Sequence, residues 1–147
     1  ILPSAIAGVM NRIDAVTVFL NPAESSYDRL GSAKAPKFVT WSPENRSQLI
    51  RIPAADSEHR RFELRSPDCG ANPYIAYALL IYACLEGIRG GELPDVPANI
   101  NILSLSDEES KKYKKLPETL SEAKKCALNS DFVKKVLPDT VIKNYCK

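Results

Sequence analysis

The chain has 147 residues, of which 44% are hydrophobic and 26% are charged, so it can form one globular core. Its 20 lysines and arginines nearly balance its 18 aspartates and glutamates, without the basic excess typical of nucleic-acid-binding proteins. No apolar run approaches the roughly 20 residues of a membrane-spanning helix, and the N-terminal residues lack the basic stretch and cleavage site of a signal peptide. We therefore expect a cytoplasmic protein with neither a nucleic-acid nor a membrane partner.

The first residue is Ile1 rather than methionine, and a helical pattern begins at once, so we expect a piece of a longer protein. The cysteines are far apart in the sequence and the only histidine is His59. This spacing favours reduced thiols over a zinc site, with a disulfide framework as the alternative. The cysteines are Cys69, Cys84, Cys126 and Cys146.

A first helix is predicted over residues 1–20, because apolar side chains recur there at alternating steps of four and three. The stripe comprises Leu2, Ile6, Val9, Ile13, Val16 and Leu20. Asn21-Pro22 ends this helix, since the residue before proline is disfavoured in the helical region. Residues 23–36 have serine, glycine and proline but no periodicity, which predicts a loop.

Three strands are predicted next, because these segments are rich in β-branched and aromatic residues and are separated by turn or polar segments. They cover residues 37–42, 47–52 and 60–66. A turn at Ser42-Pro43-Glu44-Asn45 joins the first two, and together the strands suggest an antiparallel meander.

Asn72-Pro73 predicts the start of a strong helix, with asparagine as its cap and proline in its first position. Its apolar stretch from Tyr74 to Leu85 is expected to be buried nearly all round, and Gly87 or the pair Gly90-Gly91 can end it. The more polar remainder predicts short helices over 106–115, 120–128, 131–137 and 140–145.

The third predicted strand carries an unusual charged face. Because side chains alternate along a strand, Arg61, Glu63 and Arg65 share one face, while Phe62 and Leu64 share the other. The charged face fits ordinary solvent surface. It also fits a site in which guanidinium groups bind carboxylate or phosphate oxygens and the glutamate binds Mg²⁺.

Two arginines on the second strand favour the binding site. If the strand of Arg46 and Arg51 lies beside the third, four arginines converge near Glu63. Such a cluster repels itself unless anions occupy it. ATP together with an acidic substrate would supply those anions, and phosphoryl transfer relies on this kind of electrostatic clamp.

Several segments resemble, in the same order, the signature motifs of glutamine synthetases. They are Asn21-Pro22 with Ser26-Tyr27-Asp28-Arg29-Leu30, Asn45-Arg46-Ser47 with Ile50-Arg51-Ile52-Pro53, Glu63-Leu64-Arg65 with Pro67-Asp68, Ala71-Asn72-Pro73-Tyr74, Glu86-Gly87-Ile88, and Leu116-Pro117 with Leu120 and Glu122-Ala123. Because the matches span nearly the whole chain, they carry more weight together than any one motif.

The resemblance implies an ATP-dependent ligase that joins ammonia to glutamate through a γ-glutamyl phosphate. By position in the motifs, Arg29 and Arg65 would contact glutamate, and Glu63 would bind the Mg²⁺ or Mn²⁺ that bridges the nucleotide phosphates. The residues implied to hold the ATP phosphates are Arg46, Arg51 and Arg61. Of these, Arg46 is the implied catalytic residue.

The resemblance also implies the fold and the assembly. We expect an α+β fold, with an antiparallel sheet covered by helices and a helical C-terminal end, as in the guanido-kinase-like catalytic domain of a type I bacterial enzyme. Residues 1–147 would be the C-terminal portion of that domain. The N-terminal β-grasp domain and the remaining metal ligands would lie outside the chain, which should therefore be inactive alone. The full protein would form a ring-shaped homo-oligomer with active sites between subunits.

Two of the positions that depart from the family's motifs bear directly on function. Lys34 precedes Ala35-Pro36 where the family's flap carries a glutamate, and a cation cannot attract ammonium or accept its proton as a carboxylate does. A γ-glutamyl ligase for another amine, or a non-catalytic homologue with an assembly or regulatory role, is therefore the alternative. Leu103 stands where adenylylated enzymes carry a tyrosine, so that control is expected to be absent.

Overall fold

The computed structural model describes residues 1–32, 35–95, 97, 98, 101 and 104–147. Within them lie helices α1 (Leu2–Leu20), α2 (Glu24–Arg29), α3 (Pro73–Gly90), α4 (Asp107–Ser110), α5 (Leu120–Leu128), α6 (Asp131–Val136) and α7 (Asp139–Tyr145), and strands β1 (Trp41–Pro43), β2 (Ile50–Ile52) and β3 (Glu63–Leu64). The predicted α+β class is confirmed. No helix in the described ranges has the length and apolar character needed to cross a bilayer.

Helix α1 is the centre of the core. The predicted apolar stripe is confirmed, because every member from Ile6 to Leu20 is buried, while Leu2 is partly exposed. The helix packs against α3 on one side and against α5 and α6 elsewhere. It ends at Asn21, whose backbone N–H donates to the Thr17 carbonyl.

Helices α1 and α3 cross at two glycines. A Cβ on Gly8 would lie 2.1 Å from the carbonyl oxygen of Ala83, and a Cβ on Gly87 would lie 2.2 Å from that of Ser4. The two backbones therefore touch without intervening side chains. Gly87 therefore belongs to this contact and does not end α3. The helix continues to Gly90 and is capped by Gly91, whose φ is 64°. Of the two predicted helix ends, the pair Gly90-Gly91 is the one confirmed.

The predicted burial of α3 is wrong for half of its surface. Only Leu79, Ala83 and Gly87 are buried, and they lie on the side that faces α1. Tyr74 and Tyr77 on the opposite side are largely exposed. The helix start is as predicted, since the Asn72 side chain accepts from the N–H groups of the first turn.

The sheet is small and mixed. Strand β2 lies in the middle, parallel to β1 and antiparallel to β3. The predicted antiparallel pairing of the first two strands is therefore wrong. The parallel register, from Trp41 opposite Ile50 to Pro43 opposite Ile52, requires residues 44–49 to return the chain to the starting end of β1 before β2 begins. This connection starts at Glu44, whose φ is 66°.

Residues 23–36 were predicted to be a loop, but α2 lies inside that range. It is a helix of 6 residues, too short for apolar periodicity to reveal. The Ser26 hydroxyl accepts a hydrogen bond from the Ala23 N–H at 3.3 Å, which fixes its first turn. The short C-terminal helices are confirmed, although α4 ends at Ser110 rather than near residue 115.

Candidate functional site

Three charged side chains form a linked cluster on one face of the sheet, from the central strand β2 to the end of β3. Arg51 Nη1 donates to Glu63 Oε2 at 3.0 Å, and Arg65 Nη1 donates to Glu63 Oε1 at 2.9 Å. Arg51 and Glu63 are directly opposite across the β2–β3 pair, where side chains share a face. Arg65 follows two residues later and so points the same way. Both carboxylate oxygens of Glu63 are thus held by guanidinium groups.

The apolar half of the strand prediction is also confirmed. Phe62 and Leu64 are partly buried and pack against the main core, so the strand has one core face and one charged face. The side chain of Arg51 is also held from behind, because its Nε donates to the Glu44 carbonyl at 3.0 Å. The position of the Arg51 side chain is therefore set by the Glu44 carbonyl as well as by Glu63.

A second group of polar residues surrounds the carbonyl of Ser66, next to Arg65. Asn21 Nδ2 donates to this carbonyl at 2.8 Å, and Arg29 Nη2 donates to it as well. Within the described ranges, Arg29 Nε, Asn21 Oδ1 and Ser66 Oγ are buried and have no hydrogen-bond partner. Since buried polar atoms are normally hydrogen-bonded, these three atoms keep unused hydrogen-bonding capacity beside the charged strand.

The other two predicted arginines lie apart from Glu63. Arg61 is exposed and its Nη1 donates to the His59 carbonyl at 3.1 Å, because β3 begins only at Glu63 and Arg61 lies outside its pleat. Arg46 is exposed in the connection between β1 and β2 and has no ion pair within the described part of the chain. The structure therefore brings two of the four arginines onto the carboxylate, and the phosphate-binding roles of Arg46 and Arg61 stay predictions.

The sequence placed Asn21 at the end of α1 and in the Asn-Pro motif, and it gave Ser66 no role. In the structure the Ser66 carbonyl accepts from both Asn21 Nδ2 and Arg29 Nη2, so it holds these two side chains next to Arg65. The Asn-Pro motif contained the signal for Asn21, since a fully buried asparagine must find partners. Ser66 acts through its backbone carbonyl, which its side-chain identity does not reveal.

The arginines lower the pKa of Glu63, first through the hydrogen bond from Arg51 and then through the charge of Arg65. A lowered folded-state pKa means that this carboxylate stabilises the folded state at pH values above its ordinary pKa of 4.5. The contribution is lost as the pH falls through the lowered pKa.

We expect carboxyl ¹³C NMR to give Glu63 a pKa below that of exposed glutamates, and we expect the Arg51→Ala substitution to raise the pKa of Glu63. An unchanged pKa in Arg51→Ala would show that the ion pair does not form in solution.

The described residues alone do not make a metal site. They contain no group of three histidine, cysteine, aspartate or glutamate side chains placed to hold an ion. Each oxygen of Glu63 already accepts from a guanidinium group, so a metal would compete with Arg51 or Arg65 for it. Mg²⁺ takes about six oxygen ligands, often from water and phosphate, and Glu63 can supply only part of such a set.

Lys34 and Leu103, the two departures that bear directly on function, both lie outside the described residues. Ala35, which follows the flap lysine, is buried, and its N–H donates to the Ser32 carbonyl at 2.9 Å.

Comparisons with known proteins agree with this fold. The family model described as "Glutamine synthetase, catalytic domain" matches residues 1–147. The glutamine synthetase of Methanosarcina mazei is 43% identical over 143 residues, covering 95% of this chain and 32% of the relative. That of Methanocaldococcus jannaschii is 34% identical over 145 residues, covering 97% and 32%. A solved structure described as "GmaS/ADP complex-Conformation 1" has a TM-score of 0.85 at 26% identity and covers 98% of this chain and 34% of that one.

These matches define a member of a ligase family, and in this chain two arginines contact one glutamate on the charged face of the sheet. The chain belongs to the glutamine synthetase family and lies within its catalytic domain. It spans about a third of the length of the curated relatives it matches.

Proposed function

We propose that this chain supplies the arginine–glutamate part of an active site that joins ammonia to glutamate with ATP, through a γ-glutamyl phosphate. The observation that carries the proposal is the capture of Glu63 between Arg51 and Arg65. Relatives named glutamine synthetase and a structural neighbour described as an ADP complex support it.

The charges of the site suit this chemistry. Arg51 and Arg65 outnumber Glu63, and Arg29 adds a further cation beside Ser66. A site with excess fixed positive charge favours anions such as glutamate and the phosphates of ATP. Guanidinium groups held in place beforehand stabilise the charge that spreads over the transferring phosphoryl oxygens.

We assign the residues as their motifs imply. Arg29 and Arg65 bind glutamate, and Arg51 binds a phosphate of ATP. Arg46 and Arg61, which are long and exposed, reach the nucleotide from the rim, with Arg46 stabilising the transferring group. Glu63 supplies one ligand to Mg²⁺ or Mn²⁺, alongside ligands from outside this chain.

The setting of the protein follows from the same family. We propose that residues 1–147 form the C-terminal portion of the catalytic domain, and that the whole protein assembles into a ring with active sites between subunits. We also propose a cytoplasmic location, because the four cysteines are far apart in the sequence, a spacing that favours reduced thiols.

A γ-glutamyl ligase for a different amine is the second candidate, and the lysine at position 34 favours it, because that residue replaces the family's flap carboxylate. The test is ADP release by the full gene product, with glutamate and either ammonium or a series of primary amines. Release that requires both glutamate and ammonium supports the first function. Release only with another amine supports the second, and nucleotide binding without turnover would show a non-catalytic homologue.

A further inference from the structure

Asn21, the residue that ends helix α1, is fully buried. Its backbone N–H donates to the Thr17 carbonyl at 2.8 Å, and because it precedes Pro22, its own backbone is restricted to extended conformations. The direction in which the side chain leaves the backbone is therefore fixed. A buried amide is unfavourable unless it forms hydrogen bonds, so the place of Asn21 in the fold depends on the bonds that its side chain makes.

The Ser66 carbonyl is the point at which Asn21 meets the candidate site. Asn21 Nδ2 donates to this oxygen at 2.8 Å, and Arg29 Nη2 donates to the same oxygen. A carbonyl oxygen has two lone pairs, so the two donors use its whole accepting capacity. Nearby, the Asp68 N–H donates to the Leu20 carbonyl at 3.1 Å. The segment that follows β3 is therefore tied to the end of α1 by a side-chain and a backbone hydrogen bond.

Arg29 depends on this carbonyl for its orientation. It is the last residue of α2, and within the described part of the chain it takes part in no ion pair. Its hydrogen bond to the Ser66 carbonyl therefore fixes the guanidinium group. Arg65 directly precedes Ser66 in the chain, so a shift of this carbonyl changes the spacing between the two arginines.

We propose that Asn21 is a positioning residue for the substrate glutamate. Through the Ser66 carbonyl it sets the place of Arg29 relative to Arg65, and it makes no contact with the substrate itself because it is fully buried. The inference rests on the proposed function, in which these two arginines bind glutamate. It predicts an effect on glutamate and not on ATP, because Arg51, which is assigned to a phosphate, is held by other groups.

Two substitutions of Asn21 remove the donor in different ways. Asn21→Ala deletes the amide and adds no charge. Asn21→Asp keeps the shape but offers only acceptors to the Ser66 carbonyl, and its charge attracts the Arg29 guanidinium away from that carbonyl. In steady-state assays of the full gene product, we expect both variants to raise KM for glutamate about tenfold, the effect of losing one hydrogen bond, while KM for ATP stays within about twofold. An unchanged KM for glutamate in Asn21→Ala would overturn the proposal.

Thr17→Val is the matched control. Thr17 is fully buried one turn before Asn21, and its hydroxyl donates to the Ile13 carbonyl at 2.7 Å. Valine has nearly the same shape and removes one buried hydrogen bond from the same helix, but none to Ser66. We expect its melting temperature to fall about as far as that of Asn21→Ala, with KM for glutamate unchanged. A rise in this KM equal to that of Asn21→Ala would mean that any loosening of α1 weakens glutamate binding, and the positioning role would be wrong.

A binding measurement separates this inference from the proposed reaction. Isothermal titration calorimetry of the full gene product gives the Kd of glutamate and the Kd of ADP without turnover. We expect Asn21→Ala to raise the Kd of glutamate about tenfold and to leave that of ADP unchanged. This result in a protein that forms no glutamine would support the positioning role although the proposed reaction fails.

The opposite results are equally decisive. Normal glutamine formation with an unchanged Kd for glutamate in both Asn21 variants contradicts the inference and leaves the proposed reaction intact. A wild-type protein that binds no glutamate overturns both. If Asn21→Asp does not fold, Asn21→Ala decides alone, because it introduces no buried charge.

Discussion

Glu63→Ala and Arg65→Ala are each expected to lower the rate of glutamine formation by the full gene product by about a hundred- to a thousandfold. This is the magnitude lost when one preorganised electrostatic group is removed from an active site. Removing Glu63 leaves Arg51 and Arg65 without the carboxylate that now aligns both of them. Removing Arg65 deletes a donor that is largely buried beside Ser66, with only 13% of its side chain exposed. The measurement is the steady-state rate with ATP, glutamate and ammonium.

Two controls separate chemistry from folding. Arg60→Ala removes an exposed arginine three residues before Glu63 and should leave the rate within about twofold. Arg65→Lys keeps the charge but loses the planar fork of donors, so its rate should fall between those of the wild type and Arg65→Ala. Thermal unfolding should show that all four variants are folded. Near-normal rates in both Glu63→Ala and Arg65→Ala would mean that this cluster is not the site.

Gly87→Ala is expected to have the largest effect on stability. Its methyl group would lie 2.2 Å from the Ser4 carbonyl oxygen and 2.7 Å from the Gly8 backbone, and neither atom can move without separating α1 from α3. Overpacking costs about 3 kcal/mol at the upper end of its usual range, whereas alanine gains about 1 kcal/mol of helix propensity over glycine. The free energy of unfolding should therefore fall by about 2 kcal/mol, which corresponds to a fall in melting temperature of roughly 4–8 °C.

Gly90→Ala is the matched control for this prediction. It lies in the same helix, and an added methyl group would meet only the flexible Glu92 side chain, at 3.2 Å. The same gain in propensity applies without a backbone clash, so its melting temperature should equal or exceed that of the wild type. Circular dichroism measures both variants, and a Gly87→Ala protein as stable as Gly90→Ala would show that the two helices do not cross at these glycines.

The sequence predicted the helices well because their signals are local. Alternating steps of four and three from Ile6 to Leu20 specify a buried face, and Asn72-Pro73 specifies a helix start. Both signals depend on neighbours within a few residues. The α2 helix escaped detection because its 6 residues make fewer than two turns.

The direction of the sheet pairing could not be predicted in the same way. The turn signal at Ser42-Pro43-Glu44-Asn45 indicates that the chain changes direction, but the return path through residues 45–49 decides whether β2 runs parallel to β1. That path begins at Glu44, whose φ of 66° is an uncommon conformation for a residue other than glycine. The pairing of Glu63 with Arg51, by contrast, required only that β2 and β3 be neighbours.

The candidate site was predictable where strand alternation applies and not beyond it. Glu63 and Arg65 share a face because they are two residues apart in extended chain. The same rule failed for Arg61, since the chain leaves the strand before that residue. The burial of α3 was predicted wrongly for a different reason. An apolar sequence shows that a helix can be buried, but not which of its faces another element of the chain packs against.

The most direct test of the proposed site is a structure of the full gene product with ADP and Mg²⁺. We expect a phosphate oxygen to accept a hydrogen bond from Arg51 and a carboxylate oxygen of Glu63 to bind the metal, with at least one of the present ion pairs of Glu63 broken. A nucleotide bound elsewhere, with Arg51 and Arg65 still paired to Glu63, would contradict it.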